Sequence, residues 1–163
     1  MIKARFETLP PKRFIGMRLR MSFSALRTYD LWHGFMPRRK EIQQVVGSEL
    51  YSMEVVPEGF FEPYDPGAGF DKWACVEVTE GATVPAGMEE LAWEGGLYAV
   101  FLHQGPPSRA AETYGQIFGA WIPASGYSVD NRPHFAVMGD RYRGEAEDSE
   151  EEIWIPVVEN RDA

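Results

Sequence analysis

Two glutamates stand inside stretches that read as strands, Glu54 within Leu50–Val56 and Glu77 within Trp73–Val78. A strand carboxylate facing an apolar cleft attracts a cation, and acts as a base if burial raises its pKa. The opposing reading is that each points to solvent from the polar face of its strand. Val76 and Val78 flank Glu77 and would face the other side of the sheet, so Glu77 is the residue to orient or activate water if the protein is a hydrolase. Rings supply the other chemistry. Trp32, Phe35, Phe118 and Trp121 fall on two helical stretches, Trp73 and Trp93 in strands, Tyr127 after the second helix, and Phe60, Phe61 and Tyr64 in a turn-rich loop. Such rings fill cores, and they also wall flat organic ligands. A ring stacked on a cation contributes about 0.5–2 kcal/mol.

Other chemistries find no support. His33, His103 and His134 are scattered without metal-ligand spacing, so no metal and no cofactor is expected. Gly-x-Ser-x-Gly is absent, and Ala124-Ser125-Gly126 follows a helix rather than a strand. Gly67 and Gly69 lie in a turn with no helix after them, unlike a phosphate loop. The single cysteine, Cys75, sits in an apolar run and reads as a buried filler.

The elements that must position these residues can be read from periodicity. Residues 2–9 form an edge strand and 13–23 a half-buried one. Ser24 is the expected N-cap of a helix carrying Tyr29, Trp32 and Met36 at helical spacing, with Leu31 and Phe35 beside them, that ends at Pro37. Strands follow at 50–56 and 73–78. The order then returns: strands at 91–93 and 97–103, and a helix capped by Ser108 with Ala110, Tyr114, Ile117, Phe118 and Trp121 on one stripe. Pro123 and Gly126 close that helix, and strands at 134–138 and 152–158 complete the half. The acidic run 145–152 reads as a solvated loop. Trp32-His33-Gly34-Phe35-Met36-Pro37 aligns with Phe118-Gly119-Ala120-Trp121-Ile122-Pro123, and Met17–Ser22 with Tyr98–His103.

One βαββ unit would expose an apolar flank that a second unit can bury. The expected fold is therefore α+β: one domain spanning 1–163, with halves of about 1–80 and 81–163 related by a pseudo-twofold. An antiparallel eight-stranded sheet carries two main helices on one face, with a cleft between them.

Composition bounds the partners. At 163 residues and 44% hydrophobic, one core is affordable without staples. The net charge of −9 argues against nucleic acid. The N-terminus lacks an apolar signal core and no run is long enough to span a membrane, so a cytoplasmic protein with no membrane partner is expected.

Several segments together resemble the GyrI-like small-molecule-binding family, the AraC-type effector-binding domain. They are Val84–Met88, Tyr98–Gly105, Phe118–Tyr127, Pro133–Phe135 and Glu152–Val157, with a looser match at Phe70–Val78. The resemblance covers nearly the whole chain. It implies a two-half cradle, an SH2-motif fold of SOUL-like kind, binding hydrophobic and often cationic molecules, as in multidrug-binding regulators. Relatives without a DNA reader include a gyrase inhibitor and small-molecule hydrolases, so a protein partner such as a gyrase or a regulator is a second expectation. Here the cradle takes up the chain and leaves no room for a reader. The family's carboxylate after Pro-x-aromatic falls on Ala136, and its aromatic two places on falls on Met138. The usual cation anchor is thus missing; either another carboxylate replaces it or the ligand is neutral. The expected ligand-binding set is Trp32, Phe35, Glu54, Phe61, Tyr64, Trp73, Glu77, Trp93, Phe118, Trp121, Tyr127 and Met138.

Overall fold

The computed structural model describes residues 2–61 and 65–160. Its strands are β1 (Arg5–Leu9), β2 (Lys12–Ser22), β3 (Leu50–Val55), β4 (Gly69–Val78), β5 (Glu89–Trp93), β6 (Gly96–Gln104), β7 (Tyr127–Val129), β8 (His134–Met138) and β9 (Glu150–Glu159). Eight of them run in the order β1-β6-β9-β8-β3-β4-β2-β5, and all their pairings are antiparallel. The short β7, not expected from the sequence, pairs with the end of β9. The helices are α1 (Thr28–Phe35), α2 (Ala110–Gln116) and α3 (Ile122–Ser125).

The repeat is visible in the strands. β1 and β5, β2 and β6, and β3 and β8 begin 84 residues apart, at Arg5 and Glu89, Lys12 and Gly96, Leu50 and His134. That spacing sets Met17 against Phe101, not against Tyr98 as the sequence alignment has it. It also sets Phe14 against Tyr98, and both are fully buried in the same cluster. The halves meet at β3 and β8, where Ser52 lies opposite Ala136. They also exchange edges. β1 pairs with β6 of the other half, and β5 crosses back to β2.

Alternation sorts each strand onto two faces. In β4, Phe70, Ala74, Val76 and Val78 pack with Leu31 and Phe35 of α1. Trp73 and Cys75 point the other way, into a cluster holding Phe14, Tyr98, Phe135 and Trp154. In β9, Ile153, Ile155 and Val157 face Ile117 at the end of α2, while Trp154 faces away. Both helices therefore cover one face. The helix-free face curls on itself until Trp93 of edge strand β5 meets Phe135 of β8, ring centres 5.9 Å apart. Gly16 permits the close approach of β2 to β4: a Cβ there would strike the Ala74 carbonyl and the Cys75 Cα.

Three local readings need correction. α1 starts at Thr28, three residues after the expected Ala25, and lasts eight residues before a 3₁₀ turn at Met36–Glu41. A stripe read through Met36 therefore falls off the buried side. Tyr29 is 75% exposed, whereas Leu31 and Phe35 are buried. Neither Ser24 nor Ser108 caps a helix; Ser108 donates to Glu145 instead. Pro123 does not end the second helix. A π-turn at Ile117–Trp121 passes into α3, Pro123 occupies the first turn after it, and Gly126 closes the helix at φ +79°.

Candidate functional site: the cleft between the helices

On the helix face the buried apolar core comes in two pieces, one under α1 and one under α2. Between them lie the junction strands β3 and β8. The residues there facing the helices are Leu50, Ser52 and Glu54 of β3 and His134, Ala136 and Met138 of β8, set opposite one another in register. Ser52 and Ala136 are small, so the floor is low at its centre.

Charge collects beside that low point. Glu54 Oε1 lies 2.5 Å from Lys72 Nζ of β4, and both side chains are 13% exposed. Lys72 is Glu54's cross-strand neighbour, which is why alternation brings both to this face. Across the junction, Glu151 shares its face with Ile153 and Ile155 of β9. It is 8% exposed, and its carboxylate, with no hydrogen bond or ion pair among the described residues, keeps its oxygens in touch with solvent. Burial is the first cause that pushes its pKa up; Glu54 and Glu145 push the same way, while His103 and Lys72 pull it down. Alternation along β9 turns Glu151 to the helix face, and β9 pairs with β8 of the junction. Tyr114 of α2 packs on the core beneath that helix, within the field of both acids. Burial, then Glu54 and Glu151, hold its phenol far above the usual range, so it keeps its proton and remains a donor.

Rings close the cleft. Phe61 stacks on Phe118 of the π-turn with ring centres 5.6 Å apart, and lies 5.2 Å from the imidazole of His134. His134 is buried, and desolvation drives its pKa down to about 4, against the pull of Glu54. Its Nε2 donates to the Asp130 carbonyl at 3.2 Å. Arg132 fixes that turn: it pairs with Asp130 and donates to the carbonyls of Gly95, Leu97 and Val157. On the α2 side, His103 of β6 bonds Thr113 Oγ1 at 2.7 Å and the Pro106 carbonyl at 3.0 Å, tying the start of the helix to the sheet.

The expected residues divide accordingly. Glu54, Phe61, Phe118 and Met138 come together at the cleft. Trp32 lies at the margin of the α1 core, edge-on to Phe35, which is wholly buried within it. Trp121 and Tyr127 stack on each other beside Phe6 near the β1 edge. Trp73, Glu77 and Trp93 are on the helix-free side of the sheet, so they do not line this cleft. Trp73 is core, and Trp93 stacks on Phe14. Glu77 is held by Lys12 at 3.2 Å, at an open surface groove of about 530 Å³ that Trp93 also lines. A second open groove, about 610 Å³, lies beside the 3₁₀ turn and is lined by Arg39, Lys40 and Ile42. Tyr64 lies outside the described residues. The sequence reading missed Lys72, Tyr114, His134 and Glu151. For Glu151 a signal existed: the alternation Glu151, Ile153, Ile155, Val157 runs back into the acidic stretch taken as a loop, which β9 enters at Glu150.

A sequence model of the GyrI-like small molecule binding domain matches residues 3–158. The chain belongs to the GyrI-like family. No curated protein matches it. Among solved structures it is similar to the C-terminal domain of EcmrR, at 15% identity over 98% of this chain and 99% of that one, with a TM-score of 0.70. It is similar to SAV2435 bound to tetraphenylphosphonium, at 15% identity over 96% and 94%, with a TM-score of 0.68. A hydrolase from Listeria innocua matches at 15% identity over 96% and 92%, with a TM-score of 0.60. At such identities these likenesses show the fold. Among the described residues of the GyrI-like chain, no group of His, Cys, Asp and Glu could hold a metal ion, and no helix is long and apolar enough to cross a membrane.

Proposed function

We propose that this GyrI-like domain senses or sequesters a hydrophobic organic molecule in the cleft between α1 and α2, and that a cationic molecule fits best. The observation that carries this reading is the interrupted core of the helix face. That core parts around Ser52 and Ala136, and the rings of Phe61 and Phe118 meet beside His134 there. Ring-lined seams with a few convergent polar groups are where small ligands bind once the rings part. The polar groups add up to a negative site. Lys72 offsets Glu54, and Glu151 has no offsetting partner among the described residues. A cytoplasmic setting is part of the same proposal. Glu77 gives no support to a hydrolase reading, because Lys12 holds it on the other side of the sheet.

Tetraphenylphosphonium, the cation bound to SAV2435, is a suitable probe. Calorimetric titration is expected to show saturable 1:1 binding, and Ser52→Trp, which fills the floor, to abolish it while the thermal midpoint stays within a few degrees. Binding that survives Ser52→Trp in a folded variant places the ligand elsewhere, at one of the two open grooves, and overturns the reading.

A further inference from the structure

Ten of the sixteen Lys and Arg residues, but only two of the twenty-five Asp and Glu, fall in the first forty positions. The fold answers most of those cations with acids from later strands and loops. Every described Lys and Arg has a carboxylate within ion-pair distance except Lys3, Arg39 and Lys40. In a chain of net charge −9, two adjacent cations without a counter-charge are an exception, and both line the open groove of about 610 Å³ beside the 3₁₀ turn. We propose that this groove is a second binding site and that it takes an organic anion, an apolar body bearing a carboxylate, sulfonate or phosphate. The site shares no lining residue with the cleft between α1 and α2, and it stands whether or not that cleft binds a ligand.

Two segments wall the groove. One is the 3₁₀ turn at Met36–Glu41. Arg38 fastens that turn in place, pairing with Glu41 and donating to the Ala86 carbonyl. Arg39 instead reaches the facing wall, where its Nη2 donates to the Ser48 carbonyl at 3.0 Å. That bond sets the guanidinium across the groove and uses one of its five donors, and the rest of the planar fork suits a two-oxygen anion. The other wall is the segment before β3. Val46 donates to the Glu77 carbonyl and Thr79 to the Gln44 carbonyl, which holds Val45 opposite Val78 and extends the sheet past the start of β3. Exposed Met36 and Val45 stand over buried Ile42 and Val76, so the groove is apolar between its cations. The nearest acids in sequence do not line it: Glu41 is held by Arg38, and Glu49 packs its carboxylate on Gly47. The other open groove has Glu77, Glu80 and Glu94 in its lining. An inorganic anion would leave the apolar walls in water, and a neutral compound would cover two cations without answering their charge. An organic anion does both.

The test is fluorescence titration of the whole chain with 1-anilinonaphthalene-8-sulfonate and with N-phenyl-1-naphthylamine, which has the same rings and no charge. The sulfonate is expected to bind 1:1 and at least about tenfold more tightly than the amine. Raising NaCl from about 0.05 to 0.5 M should weaken the sulfonate and leave the amine unchanged. The double variant Arg39→Gln with Lys40→Gln should lose at least about tenfold in sulfonate affinity. Ser52→Trp, in the cleft, and saturation with tetraphenylphosphonium should leave that affinity within about twofold. Equal affinity for the two dyes, or wild-type sulfonate affinity in the double variant, overturns the inference. Loss of sulfonate binding in Ser52→Trp does so too, because it assigns the dye to the cleft and leaves the cleft reading standing. Absence of sulfonate binding overturns the inference whatever the phosphonium does. If the double variant does not fold, Lys40→Glu, a charge reversal at an exposed side chain, decides by the same loss of affinity.

Discussion

The two faces of the sheet are built from neighbouring residues of the same strands, yet they behave oppositely. The helix-free face is continuous: Phe14, Tyr98, Phe135 and Trp154 join both halves in one cluster, with Phe135 stacked on Trp154 at 5.3 Å and the Tyr98 hydroxyl donating to the Pro133 carbonyl. The helix face breaks at the junction and puts Glu54, Lys72, His134 and Glu151 where a core would continue. A domain whose halves are joined through one face and through exchanged edge strands can carry charged groups at the junction of the other.

Three measurements sharpen or break that contrast. The largest effect is expected from Phe135→Ala, which removes a ring touching Tyr51, Trp93, Tyr98 and Trp154 and should cost about 3–5 kcal/mol by urea denaturation. Met138→Ala, on the same strand but facing the cleft, should cost less than half as much; equal costs would mean that the cleft face is as solid as the other. Next comes His134. The fold holds it neutral down to about pH 4, while the unfolded chain takes up its proton near pH 6.5. Its contribution is therefore complete above pH 6.5 and is lost as pH falls to 4, amounting to about 3 kcal/mol. In His134→Asn this part of the acid destabilisation should disappear, measured as folding stability across that range. The smallest effect has the opposite sign. Glu151 binds its proton more tightly folded than unfolded, so its ionisation costs stability toward neutral pH. Glu151→Gln should raise the thermal midpoint at neutral pH and leave it unchanged below the ordinary glutamate range, measured by thermal denaturation at both ends of that span. A lowered midpoint at neutral pH would mean that Glu151 has a partner in the folded state.

Much of the fold was legible because alternation and helical spacing are local. The strand positions, the doubled order and the placement of Glu54 on a strand all follow from them. The helical stripe was misread because Tyr29, Trp32 and Met36 repeat as well as Leu31 and Phe35 do, and only the start of α1 at Thr28 decides which set is buried. The acidic run was misread because six charges among eight residues look solvated, yet β9 begins inside them and period two turns Glu151 inward.

The amino-acid order by itself determined the family, the two-half α+β architecture and the absence of a carboxylate at position 136. Each is a matter of residue type and of spacing along one segment. Which glutamate faces the helices, that Lys72 neutralises Glu54, and that Glu151 stands across the junction from them were decided only by the tertiary structure. Those relations depend on the register between β3, β4, β8 and β9, strands far apart in the chain, and a shift of one residue would turn each of these side chains to the other face.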